Sequence, residues 1–169
     1  MTEEKQQEIF DQWVQDYQAL LFKVVRAFAD QSFLQDDLFQ DIAIQVWNSI
    51  PKFQAKSAVS TWLYRIALNT AITWTKKEKK HQSGRSEIAD VESLLVTKEP
   101  LDERLAWLYE EIAKLNAIDR SISLLFLDGY SYKEMAEILG ISVNHVGVKI
   151  NRIKKELIIK SENYDYHGV

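Results

Sequence analysis

The chain has 169 residues, a net charge of −4 and no cysteine, with 46% apolar and 27% charged side chains. That is enough length for one large domain or two small ones with a buried core. The absence of cysteine excludes disulfides and thiolate metal sites, and the isolated His81, His145 and His167 suggest no ligand cluster. The acidic, polar start MTEEKQQEIF is unlike a secretory signal, and no apolar run is long enough to span a bilayer, so a cytoplasmic protein without membrane insertion is expected.

Charge is unevenly distributed. Residues 1–51 carry nine acids against three bases, and 52–85 carry eight bases against Glu78. Residues 86–103 carry six acids against Lys98, and 142–160 five bases against Glu156. Glycine and proline are scarce and no window sustains strand alternation, which predicts an all-α fold. A first helix is expected over 7–30, where Ile9, Phe10, Trp13, Tyr17, Leu20, Leu21, Val24, Val25 and Phe28 recur at three- and four-residue steps. A second is expected over 35–49 around Leu38, Ile42 and Val46, with Asp36 and Asp37 at its positive end and Pro51 closing it.

A third helix is expected over 60–80, capped by Ser60 or Ser57. Leu63, Ile66, Ala67, Thr70, Ala71 and Trp74 form its expected core face. Opposite them Arg65, Asn69, Thr73, Lys76 and Lys80 make a polar stripe that turns basic toward the C-terminus. Arg, Asn and Thr can hydrogen-bond base edges and Lys neutralises phosphate, although a solvated face with good C-terminal charge would look the same. Phe53, Trp62, Tyr64 and Trp74 flank this basic region. Aromatics among positive charges suit single-stranded nucleic acid. Trp62 and Trp74 fit a core, so Tyr64 and the loop Gln54-Ala55-Lys56-Ser57-Ala58 are the better contacts for a displaced base.

Residues 82–103 are polar and acidic and hold Gly84 and Pro100, which reads as a flexible linker. A helix follows over 103–115, with Leu105, Leu108, Ile112 and Leu115 on one face, and another over 119–127, ended by Asp128-Gly129. The most informative stretch is Ser131 to Leu157. Ser131 and Glu134 make a capping box, Met135, Ala136, Ile138 and Leu139 give a buried side, and Gly140 supplies a positive-φ stop. Ser142 can cap the last helix, whose stripe is Val143, Val146, Ile150, Ile153 and Leu157. That is the pattern of a helix-turn-helix with a basic second helix, a shape that can enter the DNA major groove; the alternative is a plain helical hairpin within a bundle. On that helix Lys149 and Arg152 suit phosphate or guanine, and Asn144, His145 and Asn151 suit bases. An acidic chain with two modest basic patches should bind free DNA weakly, because affinity follows phosphate neutralisation, so a partner supplying affinity is expected.

The blocks Asp36-Asp37-Leu38-Phe39-Gln40-Asp41 through Trp47, Phe53 through STWLYRIALN, and Leu115 through Leu157 resemble bacterial alternative sigma factors of the extracytoplasmic-function group. The likeness runs from about Ile9 to Leu157. It implies two small helical domains: 1–81, binding core RNA polymerase and melting the minus-ten element, and 104–160, reading the minus-thirty-five element as duplex. An acidic linker, 82–103, and a tail, 161–169, complete the chain. It implies a non-catalytic initiation subunit with no catalytic residue, metal or cofactor. Asp37, Gln40 and Asp41 match the polymerase-binding helix. Lys56, Ser57, Tyr64, Arg65, Asn69, Thr73, Lys76 and Lys80 match the single-stranded minus-ten surface. Ser142, Asn144, His145, Gly147, Val148, Lys149, Asn151 and Arg152 match the minus-thirty-five surface. An anti-sigma factor is a possible further partner, as many relatives have one. The family often carries a basic residue and a small hydroxyl just after Val146, where this chain has Gly147 and Val148. Either the glycine permits close backbone approach to DNA, so that Gly147→Ala stabilises the second domain yet weakens promoter binding, or it is a tolerated exposed substitution. Other readings are a helix-turn-helix regulator that binds duplex unaided, an interaction scaffold, and an enzyme using Asp36, Asp37 and Asp41. The last lacks any phosphate loop, metal cluster or nucleophile–base pair.

Overall fold

The first apolar run does not form one helix. In a computed structural model that describes residues 1–82 and 102–165, α1 (Glu3–Asp16) stops at Tyr17 and α2 (Gln18–Phe28) restarts beyond it. Tyr17 has φ −112° and ψ 21°, outside helical values, yet its N–H still reaches the Trp13 carbonyl and its own carbonyl accepts from Leu21. These two bonds bridge the junction, but the regular ladder is interrupted at Tyr17, so the expected single helix over 7–30 is corrected to two consecutive helices. The chain divides into two compact units, Met1–Pro100 and Leu101–Val169, and every element among the described residues is helical. Most of the expected linker, residues 83–101, lies outside the described residues, as do residues 166–169 of the expected tail; its first part, 161–165, is instead the end of the last helix, Val143–Asp165.

In the first unit α2, α3 (Ser32–Ser49) and α4 (Val59–Gln82) share one core. Leu21, Val24, Val25 and Phe28 face Leu38, Ile42 and Val46 at one- and two-turn spacing, with Leu63, Ala67, Leu68, Ala71 and Trp74 closing the layer. α3 starts three residues earlier than expected, so its first turn carries no acid, and Asp36 and Asp37 lie beyond it. Pro51 sits in a 3-10 turn, Ile50–Lys52, where its missing N–H costs nothing. α4 begins at Val59, with the Ala58 carbonyl accepting from Trp62, which puts Ser60 inside the first turn. α1 buries no residue fully. It adheres through edge-on aromatic contacts, Phe10 to Trp47 at 5.6 Å and Trp13 to Phe53 at 5.2 Å, and through Gln6, which donates to the Trp47 carbonyl at 2.8 Å.

In the second unit α5 (Glu103–Lys114), α6 (Ala117–Leu127), α7 (Tyr132–Leu139) and α8 (Val143–Asp165) pack around Ile112, Ile122, Leu125, Met135, Ile138, Val146 and Ile150. The turn chemistry agrees with the sequence reading. Ser131 and Glu134 form a reciprocal capping box, Gly140 closes α7 at φ 69°, and Ser142 Oγ accepts from the His145 N–H at 3.0 Å. α6 starts two residues earlier than expected because Asn116, not a later residue, caps it. Glu111 on α5 accepts from Lys114 at 2.8 Å and from Lys160 near the end of α8 at 3.2 Å. The Lys114 hydrogen bond, opposed by burial and helped by Lys160, holds the Glu111 carboxyl below its ordinary value.

Candidate nucleic-acid and partner interfaces

α4 has two distinct sides. Its core side is turned by one residue from the expected one: Tyr64 and Leu68 are buried, whereas Ile66 and Thr70 are half-buried at its edge. Tyr64 is 1% exposed, so its ring is part of the core and has no face to offer a base. Its assignment as a DNA contact is therefore withdrawn. Lys23 approaches the same ring, 5.8 Å from its centroid.

The other side of α4 is open. Arg65, Asn69, Thr73, Lys76 and Lys80 are all exposed on one stripe. Thr73 Oγ1 donates to the Asn69 carbonyl at 3.0 Å, which fixes the hydroxyl and leaves its lone pairs outward. Between this stripe and α3 lies a groove of about 400 Å³ lined by Gln45, Asn48, Lys52, Arg65, Asn69 and Thr70. Gln45 and Asn48 went unremarked in the sequence, since they belong to another helix and only packing brings them to Arg65. One wall is Trp62, whose indole N–H donates to Ser49 Oγ at 3.2 Å while Ser49 donates to the Val46 carbonyl. The loop before α4 exposes Lys56 and Ser57, and in it Ala55 holds a left-handed φ of 55°, costly for a residue with a Cβ.

On α3 Asp37 and Gln40 are exposed and Asp41 is half-buried. Asp37 and Asp41, one turn apart, share a face. Asp37 Oδ2 accepts from the Trp74 indole at 3.3 Å, so a side chain of α4 orients a carboxylate on α3.

The exposed side of α8 presents Ser142, Asn144, His145, Val148, Asn151 and Arg152. Gly147 is half-buried. A Cβ built on it lies 3.6 Å from Cε2 of Tyr132, within ordinary contact. The missing methyl would thus point at α7 and not into open space, which runs against the close-approach reading. Lys149 is also drawn inward. It donates to Asp119 Oδ1 at 2.9 Å with its side chain 15% exposed, so its expected phosphate or base contact gives way to an internal ion pair. Arg152 donates to Asp119 Oδ2 at 2.6 Å but stays 59% exposed. Burial pushes the Asp119 carboxyl up. The hydrogen bond and charge of Lys149 and the charge of Arg152 outweigh it and leave it below its ordinary value.

Among the described residues no group of three or more His, Cys, Asp or Glu could hold a metal, and no helix is long and apolar enough to cross a membrane.

Comparison with known proteins gives a consistent result. Residues 13–81 match the family described as Sigma-70 region 2, and residues 105–157 match Sigma-70, region 4. The RNA polymerase sigma factor YlaC of Bacillus subtilis (strain 168) is 34% identical over 131 residues, covering 72% of this chain and 73% of that protein. The ECF RNA polymerase sigma factor SigX of the same organism is 31% identical over 171 residues, covering 92% and 86%. Among solved structures, the sigma factor RpoE in complex with the anti-sigma factor NepR from Bartonella quintana shares the fold with a TM-score of 0.65 at 19% identity, covering 89% of this chain and 94% of that one. CnrH in complex with the cytosolic domain of CnrY gives a TM-score of 0.63 at 24% identity, covering 96% and 91%.

Proposed function

The chain belongs to the sigma-70 family of RNA polymerase sigma factors, in its extracytoplasmic-function group, and from that membership we propose how its surfaces divide the work. A sigma factor binds core RNA polymerase and directs it to promoters. In this reading residues 1–81 hold core and open the minus-ten element, and residues 104–160 read the minus-thirty-five element as duplex.

Asp37, Gln40 and Asp41 meet core polymerase, their carboxylates suited to arginines of the partner. Trp74 holds the Asp37 carboxylate in place for that contact. Arg65, Asn69 and Thr73 read bases of the upstream minus-ten region, and Lys76 and Lys80 neutralise its phosphates. Lys56 and Ser57 meet the displaced strand from the loop before α4. Extruding a base costs a few kcal/mol of unstacking, which contacts to the flipped base offset. In the second unit Ser142, Asn144, His145, Val148, Asn151 and Arg152 face the duplex.

The protein contributes no chemistry of its own and works in the cytoplasm, where polymerase is. An anti-sigma factor, the kind of partner named in the RpoE structure that shares this fold, would silence it by covering one or both basic surfaces. The observation that carries this reading is the pairing of two compact units, each presenting an exposed polar and basic helix face, in a chain whose net charge is −4. Such a molecule needs a partner to hold it on DNA.

The test is run-off transcription from a genomic promoter pool with purified core polymerase, with and without the protein. Transcripts are expected only when both are present, with start sites that define both elements. No transcripts and no association with core would refute the reading and leave a duplex-binding regulator, to be examined by salt-dependent DNA titration.

A further inference from the structure

One buried carboxylate ties α8 to α6. Asp119, in the first turn of α6, is 4% exposed. It accepts from Lys149 through Oδ1, and from Arg152 and Asn116 Nδ2 (2.9 Å) through Oδ2. Its own backbone N–H donates to Asn116 Oδ1, and the N-terminal end of α6 adds a favourable dipole. A carboxylate held on so many sides has one orientation.

The two cations it binds lie in different environments. Lys149 is nearly sealed, whereas Arg152 gives Asp119 one Nη2 proton and remains largely exposed. A guanidinium has five donors in a rigid planar fork, so anchoring one edge fixes the direction of the other.

We propose that Asp119 is the positioning residue for minus-thirty-five specificity: it withdraws Lys149 from DNA and aims the free edge of Arg152 at the promoter duplex. The proposal rests on the reading that α8 enters that duplex. Removing the carboxylate should act in two opposed ways. It frees two cations to find any phosphate, which strengthens non-specific binding and its salt dependence. It also lets Arg152 swing, which weakens specific binding. A scaffold that merely held the helices together would lower both together.

The experiment measures affinity of reconstituted holoenzyme for two promoter duplexes that differ only in an intact or a scrambled minus-thirty-five element, across a salt series. For Asp119→Asn, the ratio of the two affinities is expected to fall about tenfold, the scale of one lost base contact. Binding to the scrambled duplex is expected to steepen its log–log salt slope by about 0.9 per phosphate newly met. Lys149→Met, which keeps the Asp119–Arg152 pair, is expected to hold intact-duplex affinity within about twofold with an unchanged slope, because a contact that is absent cannot be lost. If Asp119→Asn fails to fold, Lys149→Met decides. A tenfold loss there, with a slope shallower by about 0.9, puts Lys149 on DNA and overturns the proposal. An unchanged ratio in folded Asp119→Asn, or a parallel fall on both duplexes, overturns it as well. Wild-type holoenzyme that does not distinguish the two duplexes overturns the reading of α8 itself.

Discussion

Replacing Gly147 by Ala adds a methyl group inside α8, at a position where the backbone is helical and the new atom would lie 3.6 Å and 3.8 Å from two carbons of the Tyr132 ring. Neither distance requires a neighbour to move. Glycine inside a helix costs about 1 kcal/mol relative to alanine, mostly in backbone freedom lost on folding, and the contact with the ring adds a few tenths through dispersion. The second unit should therefore gain about 1 kcal/mol, roughly a fivefold shift in its folding equilibrium. A domain of this size should melt about 4–8 °C higher. Hydrogen exchange of the α8 amides in the full chain isolates the effect from the first unit, and protection there should rise about fivefold. Because the methyl points at α7, affinity of holoenzyme for an intact minus-thirty-five duplex should stay within about twofold, since one tightly placed base contact would be worth more. Unchanged or weaker protection would refute the packing argument. A tenfold loss of promoter affinity would restore close approach of the glycine backbone to DNA.

Ser131→Ala removes one arm of the capping box at the start of α7 and should cost about 1 kcal/mol, seen as a lower urea midpoint of the second unit. Ala55→Gly relieves a left-handed backbone in the loop before α4 and should stabilise the first unit by about 1 kcal/mol; an unchanged urea midpoint would mean that the loop is relaxed as it stands. Acid should weaken the second unit. The Asp119 and Glu111 carboxyls lie below their ordinary values when folded, so their contribution is complete above the unfolded carboxylate range and is lost as pH falls through the folded values. Urea midpoints measured from neutral to strongly acidic pH should be level at first and then drop, and in Asp119→Asn the drop should be shallower. A drop of the same depth would deny Asp119 that role.

The turn chemistry of the second unit was legible because its signals are local. Ser131 meets Glu134 three residues on, and a left-handed stop asks for a glycine at 140. The break at Tyr17 was not legible, because no glycine or proline marks it and the apolar spacing runs through it unbroken. The rotation of α4 was hidden for a related reason. Leu63, Tyr64, Ile66, Ala67 and Leu68 are apolar over most of a full turn, so only contact with α2 and α3 decides which of them go inside. Asp119 was invisible as a partner of α8. An acid at a helix N-terminus already has an explanation in the dipole, and its two cations stand 30 and 33 residues away. The exposed stripe of α4 was readable because its polar residues recur at three- and four-residue steps; the groove beside it was not, since Gln45 and Asn48 come from α3.

The final turns of α4 set a condition on the helix itself. Its 24 residues reach about 36 Å at 1.5 Å per residue, and from Lys76 to Lys80 only Glu78 interrupts a run of exposed lysines. Lys76 stands three and four residues from Lys79 and Lys80, and Lys77 three from Lys80, spacings at which like charges repel by a few tenths of a kcal/mol per pair. The negative end of the helix dipole offsets part of that. A phosphate backbone laid alongside would cancel the repulsion outright, so the length over which α4 stays wound becomes a gauge of whether a polyanion is in place.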